Sequence, residues 1–428
     1  MSSNRTQVWA LADINSFYCS AESLFNPAYR GKPIVVASNN DGCIVARSAE
    51  AKAIGIKMAE PVFQVRHLQK SHGLVICSSN YELYADMSAR FMQTLEDLAP
   101  AVMPYSIDEA FMDLSGMSAL MDLAEFGQIV KSRVARDTGL PICVGISSTL
   151  TLAKLANNGA KKYPATKGVV DLTSPARQRR LLRITPVGDI WGIGKKLSAR
   201  LIDAGIHTGL DLAQANTSWI RSEFSVVVER TVRELNGIAC QKIEAVPPTK
   251  QQIISSKSFG QPVLELEDML KAVASYAVRA SEKLRGEGQS AGQLTAFLST
   301  SRYGADERYS NSLTAPLPHA TQDTRIIVHS AIELIRKIWR PGLRYNKAGI
   351  MLGDFRTPGE EQEDMFAAVS DSVKSEVVMG LLDQINASQG SGLMKFGRSA
   401  GSNALWEMKR GNLSPAFTTR WTDLPKAR

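Results

Sequence analysis

Residues 101–114 read AVMPYSIDEAFMDL. Apolar residues dominate on both sides of an acidic pair, Asp108–Glu109. The stretch reads as two strands, 101–107 and 110–114, joined at that pair. Adjacent carboxylates in so apolar a setting repel unless a cation lies among them or one is protonated. Whether a cation belongs there depends on what else the fold brings to the same place.

Upstream, Leu83, Met87, Phe91, Leu95 and Leu98 recur at spacings of four and three, which predicts a helix over 80–98. Downstream, a helix is expected over 121–137, a strand in LPICVGIS (140–147), and a helix over 149–161 capped by Ser148 or Thr149. Nearer the start, Val8–Ala12 reads as a short buried strand ending at Asp13, and KPIVVAS (32–38) as another. Residues 46–54, closed by Gly55, read as a helix. With 20–79 set aside, the order is β-α-β-β-α-β, the split ferredoxin-like motif carrying an insertion after its first strand. In that topology the third strand lies antiparallel beside the first. Asp108 and Glu109 therefore meet Asp13, and three carboxylates share one sheet edge.

Hard divalent ions prefer oxygen ligands, and magnesium takes a few carboxylates plus substrate phosphates. Two such ions, about 4 Å apart, can activate an attacking hydroxyl and stabilise a leaving oxygen. Asp13, Asp108 and Glu109 thus suggest a two-metal nucleotidyl-transfer site. Taken alone, the acidic pair is equally a solvated hairpin turn.

The chain has 428 residues, enough for two to four domains. Its 50 Lys and Arg against 42 Asp and Glu leave a net charge of +8. That favours an anionic partner, nucleic acid first and a membrane surface second, although a basic soluble enzyme has the same balance. The five cysteines (Cys19, Cys43, Cys77, Cys143 and Cys240) lie far apart with no Cys-x-x-Cys pair. They read as reduced thiols, not as a disulfide or zinc framework. The first apolar run is too short for a signal-peptide core, and no run approaches a membrane span. The expectation is a cytoplasmic protein with no membrane partner.

After Pro175 the character changes. Residues 175–242 read as helical and carry eleven Lys and Arg against six Asp and Glu. Within them WGIGKK (191–196) is a hydrophobic-Gly-hydrophobic-Gly-basic turn leading into a helix over 197–204. Gly192 and Gly194 would let backbone N–H groups approach a phosphate, with Lys195 and Lys196 adding charge. As an isolated pattern it is equally a plain helix-turn-helix packing unit. Val246-Pro-Pro-Thr reads as a linker, and 254–356 as a mixed α/β block. Lys52 and Lys161 each sit at a helix end near the acidic edge, where they could hold triphosphate oxygens as point charges. Most lysines are ordinary surface residues.

DINSFYCSAE (13–22), SNNDGCIVARSAEAKAIGIKM (38–58), SSNYELYADMS (78–88), YSIDEAFMDL (105–114), VGISSTLTLAKLANNGAKK (144–162), DIWGIGKK (189–196) and TTRWTDLP (418–425) together resemble the Y-family of translesion DNA polymerases. Within that family they resemble the UmuC-type catalytic subunits of bacterial DNA polymerase V, over essentially the whole chain. The resemblance implies an α/β multidomain, right-hand polymerase. Its ferredoxin-like palm would be 1–18 and 85–174, its small fingers 19–84, and its helical thumb with a helix-hairpin-helix 175–242. A linker (243–253), an α/β little finger (254–356) and a C-terminal partner-binding tail (357–428) would follow.

It also implies roles for residues. Asp13, Asp108 and Glu109 would be catalytic metal ligands for two Mg2+ ions arriving with the dNTP, joined by the carbonyl of Ile14. Tyr18 would be the steric gate that excludes a ribose 2′-hydroxyl, with Phe17 beside it under the sugar. Lys52 and Lys161 would contact the triphosphate. Ala49 stands where many family members carry a tyrosine, so one hydroxyl donor is missing. Short side chains in SNNDGC would leave the nascent base pair loosely enclosed, which tolerates damage at a cost in selectivity.

QEDMF (362–366) resembles a sliding-clamp-binding peptide, with Gln362 for a polar pocket and Met365 and Phe366 for an apolar one. The partners implied are primer-template DNA, dNTPs, a processed UmuD-like dimer, the RecA filament and the sliding clamp. The reading is error-prone, template-directed synthesis past lesions in an SOS-type response. Two alternatives are a catalytically inactive polymerase-like scaffold and a cyclase-type palm enzyme. The three carboxylates argue against the first, and the basic thumb with the following little-finger block against the second.

Overall fold

Trp9–Ile14 is the first strand, β1, and it lies at the centre of a five-stranded sheet. The computed structural model describes residues 7–241, 249–301, 307–357, 372–389, 393–394, 396–397 and 409–424. The chain divides into two units: Met1–Ser38, Gly42–Val246 and Gly411–Arg428 in one, Asn39–Asp41 and Pro247–Arg410 in the other.

In the first unit β1 is followed by α1 (Phe17–Phe25), β2 (Ile34–Ala37), β3 (Ile44–Arg47), α2 (Ala49–Ala53), α3 (Val62–Val65), α4 (Leu68–His72) and β4 (Val75–Ser78). Then come α5 (Tyr81–Glu96), β5 (Ala101–Pro104), β6 (Glu109–Asp113), α6 (Leu123–Thr138), β7 (Ile142–Ser147), α7 (Leu150–Lys162) and β8 (Val169–Asp171). Five helices close the run: α8 (Pro175–Ile184), α9 (Lys195–Asp203), α10 (Gly209–Gln214), α11 (Thr217–Glu223) and α12 (Val226–Leu235).

The main sheet has the order β5-β6-β1-β7-β8, so β1 lies between β6 and β7 and is antiparallel to both, as the split motif requires. Strand alternation sorts its residues. Ala10, Ala12 and Ile14 join the core under α5 and α6, with Leu83, Met87, Phe91, Phe126, Val130 and Val134. Trp9 and Leu11 face the other way and pack with Phe111 of β6 and Leu150 and Ala153 of α7. By the same alternation Asp13 and Glu109 belong to the α7 face.

That face is set by one glycine. Gly145 of β7 stands opposite Leu11, and a Cβ there would lie 2.1 Å from the Asn157 amide nitrogen and 2.5 Å from the Ala153 carbonyl. Only a residue without a side chain lets α7 approach this closely. Asn157 then reaches the sheet, donating from Nδ2 to the carbonyls of Cys143 (2.9 Å) and Leu11 (3.3 Å). Thr149 caps α7 by accepting from Leu152 N–H.

A small sheet, β3-β2-β4, is not hydrogen-bonded to the main one; Ile34, Val36 and Cys77 join the main core, while Val35, Ile44, Ala51, Val62 and Ile76 form a second one. Residues 46–54 are therefore not one helix. Ala46 and Arg47 belong to β3, pairing with Val36 and Val35, and the helix begins only after Ser48, whose Oγ accepts from Ala51 N–H. The expected strand 101–107 also ends early, at Pro104. The N–H groups of Tyr105 and Ser106 both donate to the Glu109 carbonyl and close a tight turn. Leu182, Leu201, Leu212, Ile220 and Val232 of the later helices, with Ile190 between α8 and α9, share a core with Leu152 and Leu155 of α7.

The second unit repeats the β-α-β-β-α-β order: β9 (Ile253–Val263), α13 (Leu266–Gly286), β10 (Ser290–Thr300), β11 (Ser310–Thr321), α14 (Thr324–Ile338) and β12 (Tyr345–Arg356). Its sheet order is β11-β10-β12-β9, and α13 and α14 bury Val273, Ala277, Ile327 and Ile335 in its core. A further helix, α15 (Ser372–Gln389), is tied to α13 by a two-pronged Arg285–Asp383 ion pair at 2.6 and 2.7 Å. Among the described residues no helix is long and apolar enough to cross a membrane, and all five cysteines are free.

Candidate active site

The register of β1 and β6 places Asp13 directly opposite Glu109. One step on, Ile14 N–H donates to the Asp108 carbonyl at 2.9 Å. The three carboxylate residues thus share one end of the sheet, as the topology requires. Among the described residues no three acidic, cysteine or histidine groups stand close enough to hold a metal ion. Each carboxylate is held by a different partner.

Asp13 pairs with Lys161 Nζ at 2.5 Å. Glu109 takes Lys154 Nζ on both oxygens, at 2.8 and 3.0 Å. Asp108 accepts from the Ser106 hydroxyl at 2.6 Å within the turn. The two lysines are seven residues apart on α7, two helical turns on one face, so a single helix delivers both charges. Lys154 is not among the residues that the sequence motifs mark. That two-turn spacing from Lys161 was the available signal. Its ammonium also lies over the rings of Tyr105 (4.2 Å) and Trp191 (5.2 Å), a cation–π setting that holds it beside Glu109.

The electrostatic balance is incomplete. The Asp13 carboxyl is pushed up to about 6, chiefly by burial and further by Glu109 and Asp108. Lys161 opposes the rise without cancelling it. An all-oxygen donor set on a partly desolvated edge with uncompensated negative charge fits a hard divalent cation such as magnesium.

Around this edge lie the other expected residues. Ile14 is buried at the end of β1. Ser16 follows in the left-handed region (φ 48°) at the N-cap of α1, and its hydroxyl accepts from Lys52 Nζ at 3.3 Å. Lys52 and Ala49 are both exposed on α2. Tyr18 is half-buried and stacks on Tyr84 at 4.2 Å with planes 11° apart, with Tyr81 edge-on at 6.3 Å. Burial, Tyr81 and Asp108 together raise its hydroxyl above the usual phenol range. Phe17 is 3% exposed inside the core, so its ring backs Tyr18 from within and does not line the surface beside it.

In the WGIGKK turn, Gly192 takes φ +89° and Gly194 is the N-cap of α9. A Cβ at Gly194 would meet nothing within 4 Å, so packing does not demand glycine there. Lys195 and Lys196 are exposed in the first turn of α9. Gln362, Met365 and Phe366 lie outside the described residues.

Comparison with known proteins identifies the family to which the chain belongs. Residues 12–158 match the impB/mucB/samB family, and 250–365 match that family's C-terminal domain. Residues 376–427 match a domain of unknown function. The chain is 49% identical to Protein UmuC of Salmonella typhimurium strain LT2, over 97% of this chain and 99% of that one. It is 48% identical to Protein ImpB of Salmonella typhimurium, over 98% and 100%. DNA polymerase IV 1 of Bacillus subtilis is 28% identical over 90% of this chain and 91% of its own length. A solved Y-family DNA polymerase chimera of Dbh and Dpo4 shares the fold, with a TM-score of 0.64 at 19% identity over 82% of this chain and 99% of that one. With its acidic sheet edge, split ferredoxin-like sheet and near full-length likeness to UmuC and ImpB, the chain belongs to the UmuC-type branch of the Y-family DNA polymerases.

Proposed function

We propose that the edge formed by Asp13, Asp108 and Glu109 is the nucleotidyl-transfer centre of this DNA-directed DNA polymerase, which carries out error-prone translesion synthesis. The observation that carries the assignment is the β1–β6 register, which sets Asp13 against Glu109 with Asp108 at the next step. These carboxylates and the Ile14 carbonyl would hold two magnesium ions. When bound, the ions neutralise charge on the reacting phosphate and polarise the attacking and leaving oxygens.

The chain's own residues do the rest. The primer 3′-hydroxyl oxygen forms a bond to the α-phosphorus as the bond to the bridging oxygen breaks; the hydroxyl proton passes to solvent and pyrophosphate departs. Lys161, paired with Asp13 in the free site, and Lys52, held at Ser16, supply positive charge for the triphosphate. Lys154 orients Glu109. Tyr18 would be the steric gate, excluding a ribose 2′-hydroxyl by collision with its ring. Gly192, Gly194, Lys195 and Lys196 grip the DNA backbone without reading its sequence. The reading places the enzyme in the cytoplasm during an SOS-type response, working with a processed UmuD-like dimer and the RecA filament, and with the sliding clamp through Gln362, Met365 and Phe366.

Asp108→Ala tests the centre. Primer extension should fall by about a thousandfold or more while DNA affinity stays within about twofold. Extension at the parental rate would overturn the assignment.

A further inference from the structure

Glu22 of α1 is 1% exposed and has no part in the chemistry above. Its Oε1 accepts from the Tyr84 hydroxyl at 2.7 Å and from the Ser414 hydroxyl at 3.1 Å. Ser414 is 392 residues away in sequence. Tyr84 is fully buried, and its ring is the one on which Tyr18 stacks. Residues 18, 22 and 25 lie at i, i+4 and i+7 of α1, on one face. Phe25, the third of them, stacks on Phe417 with centroids 5.1 Å apart and planes at 9°. The face of α1 that carries Tyr18 is thus the face met by a segment from the far end of the chain.

That segment is fastened from two further elements. Asn80 caps α5 with Oδ1 on Leu83 N–H, leaving Nδ2 to donate to the Ser414 carbonyl (3.2 Å), the Ser414 hydroxyl (2.9 Å) and the Pro415 carbonyl (3.2 Å). At the end of β4, Ser78 N–H donates to the Asn412 carbonyl at 2.9 Å, and Asn412 N–H returns a bond to Ser78 Oγ at 3.0 Å. The clasping residues fall within the region matching a domain of unknown function.

A gate that works by collision succeeds only if its ring does not yield. Among the described residues Tyr18 stacks face to face on Tyr84, and that ring is fixed at its hydroxyl end by Glu22. Glu22 is in turn held by Ser414, and its helix by Phe417. We propose that residues 412–417 form a C-terminal clasp that fixes Tyr84 and α1, and through them Tyr18, so that the far end of the chain sets how strictly the nucleotide sugar is selected. The proposal rests on the reading of Tyr18 as the sugar gate, and Glu22, Tyr84, Ser414 and Phe417 are positioning residues for it.

The test is single-nucleotide insertion by the full chain, with kcat/KM measured for a dNTP and for the matching rNTP. In the Ser414→Ala/Phe417→Ala variant, discrimination against the ribonucleotide should fall by about three- to tenfold while dNTP insertion stays within about twofold. Backbone amides of Phe17–Phe25 should exchange hydrogen faster. Phe417→Tyr keeps the stacked ring and should restore parental discrimination. Ser414→Ala alone, which removes one hydroxyl, serves if the double variant does not fold. Tyr18→Ala is the reference. If it leaves sugar discrimination unchanged, the gate reading fails and takes the clasp with it. If Tyr18→Ala relaxes discrimination and the clasp variants do not, the clasp alone is overturned. A uniform loss on both nucleotides at the parental ratio overturns it too.

Discussion

The carboxyl of Asp13 is pushed to about 6 because two strands bury it and two more carboxylates stand nearby. Its ordinary value is 3.8, so the folded chain holds this proton more tightly than the unfolded one. The stability it contributes is therefore full below about pH 4 and is lost as pH rises through 6. The side chain is 13% exposed, so solvent screens little of this. Asp13→Asn removes the ionisation and keeps the shape. In chelator at pH 7.5 the variant should be more stable than the parent by about 2–3 kcal/mol, with the gap closing near pH 4. Chemical denaturation across that pH range measures it, and equal stability at pH 7.5 would refute the balance described above. On the proposed assignment of Asp13 as a magnesium ligand, returning magnesium should raise the parent's melting temperature far more than the variant's.

At the scale of elements, α7 is the part on which the site depends. It brings Lys154 and Lys161 to the sheet edge, and it lies close because Gly145 has no side chain. Gly145→Ala would set a methyl 2.1 Å from backbone nitrogen, where no flexible side chain can give way. We expect a loss of about 3 kcal/mol in stability and a lower insertion rate per folded molecule, since both lysines shift together. A parental melting temperature would contradict this. Much of this architecture is legible in the sequence. The spacing of Leu83, Met87, Phe91 and Leu95 marks α5, and the β-α-β-β-α-β order alone brings Asp13 to Glu109. Residues 46–54 do not form one helix because Ala46 and Arg47 pair with β2, and the helix starts at the Ser48 cap. The grip of Lys154 on Glu109 was hidden because 45 residues separate the pair. The clasp was hidden more deeply, since no local pattern links Ser414 to Glu22 across 392 positions.

For the whole molecule, the net charge of +8 matters less than where it lies. The run 175–242 carries eleven basic residues against six acidic ones, and two of the basic side chains open α9 at the WGIGKK turn. A lysine at a helix N-terminus is unfavourable for the helix itself, because the dipole there is already positive. Two exposed lysines beside an open glycine cap are better explained by an external anion than by local stability. If that anion is the DNA backbone, each lysine releases about one condensed counterion on binding. Lys195→Ala/Lys196→Ala should then lower the steepness of log affinity against log salt by about two, equally for unrelated sequences. It should leave the melting temperature unchanged or slightly raised, since like charge has been removed from the positive end of α9. Fluorescence anisotropy with two unrelated primer-templates over a salt series reads the slope directly. A parental slope would show that the turn is only a packing unit between α8 and α9. A loss confined to one sequence would show that it reads bases, which the exposed backbone and point charges of this turn are not built to do.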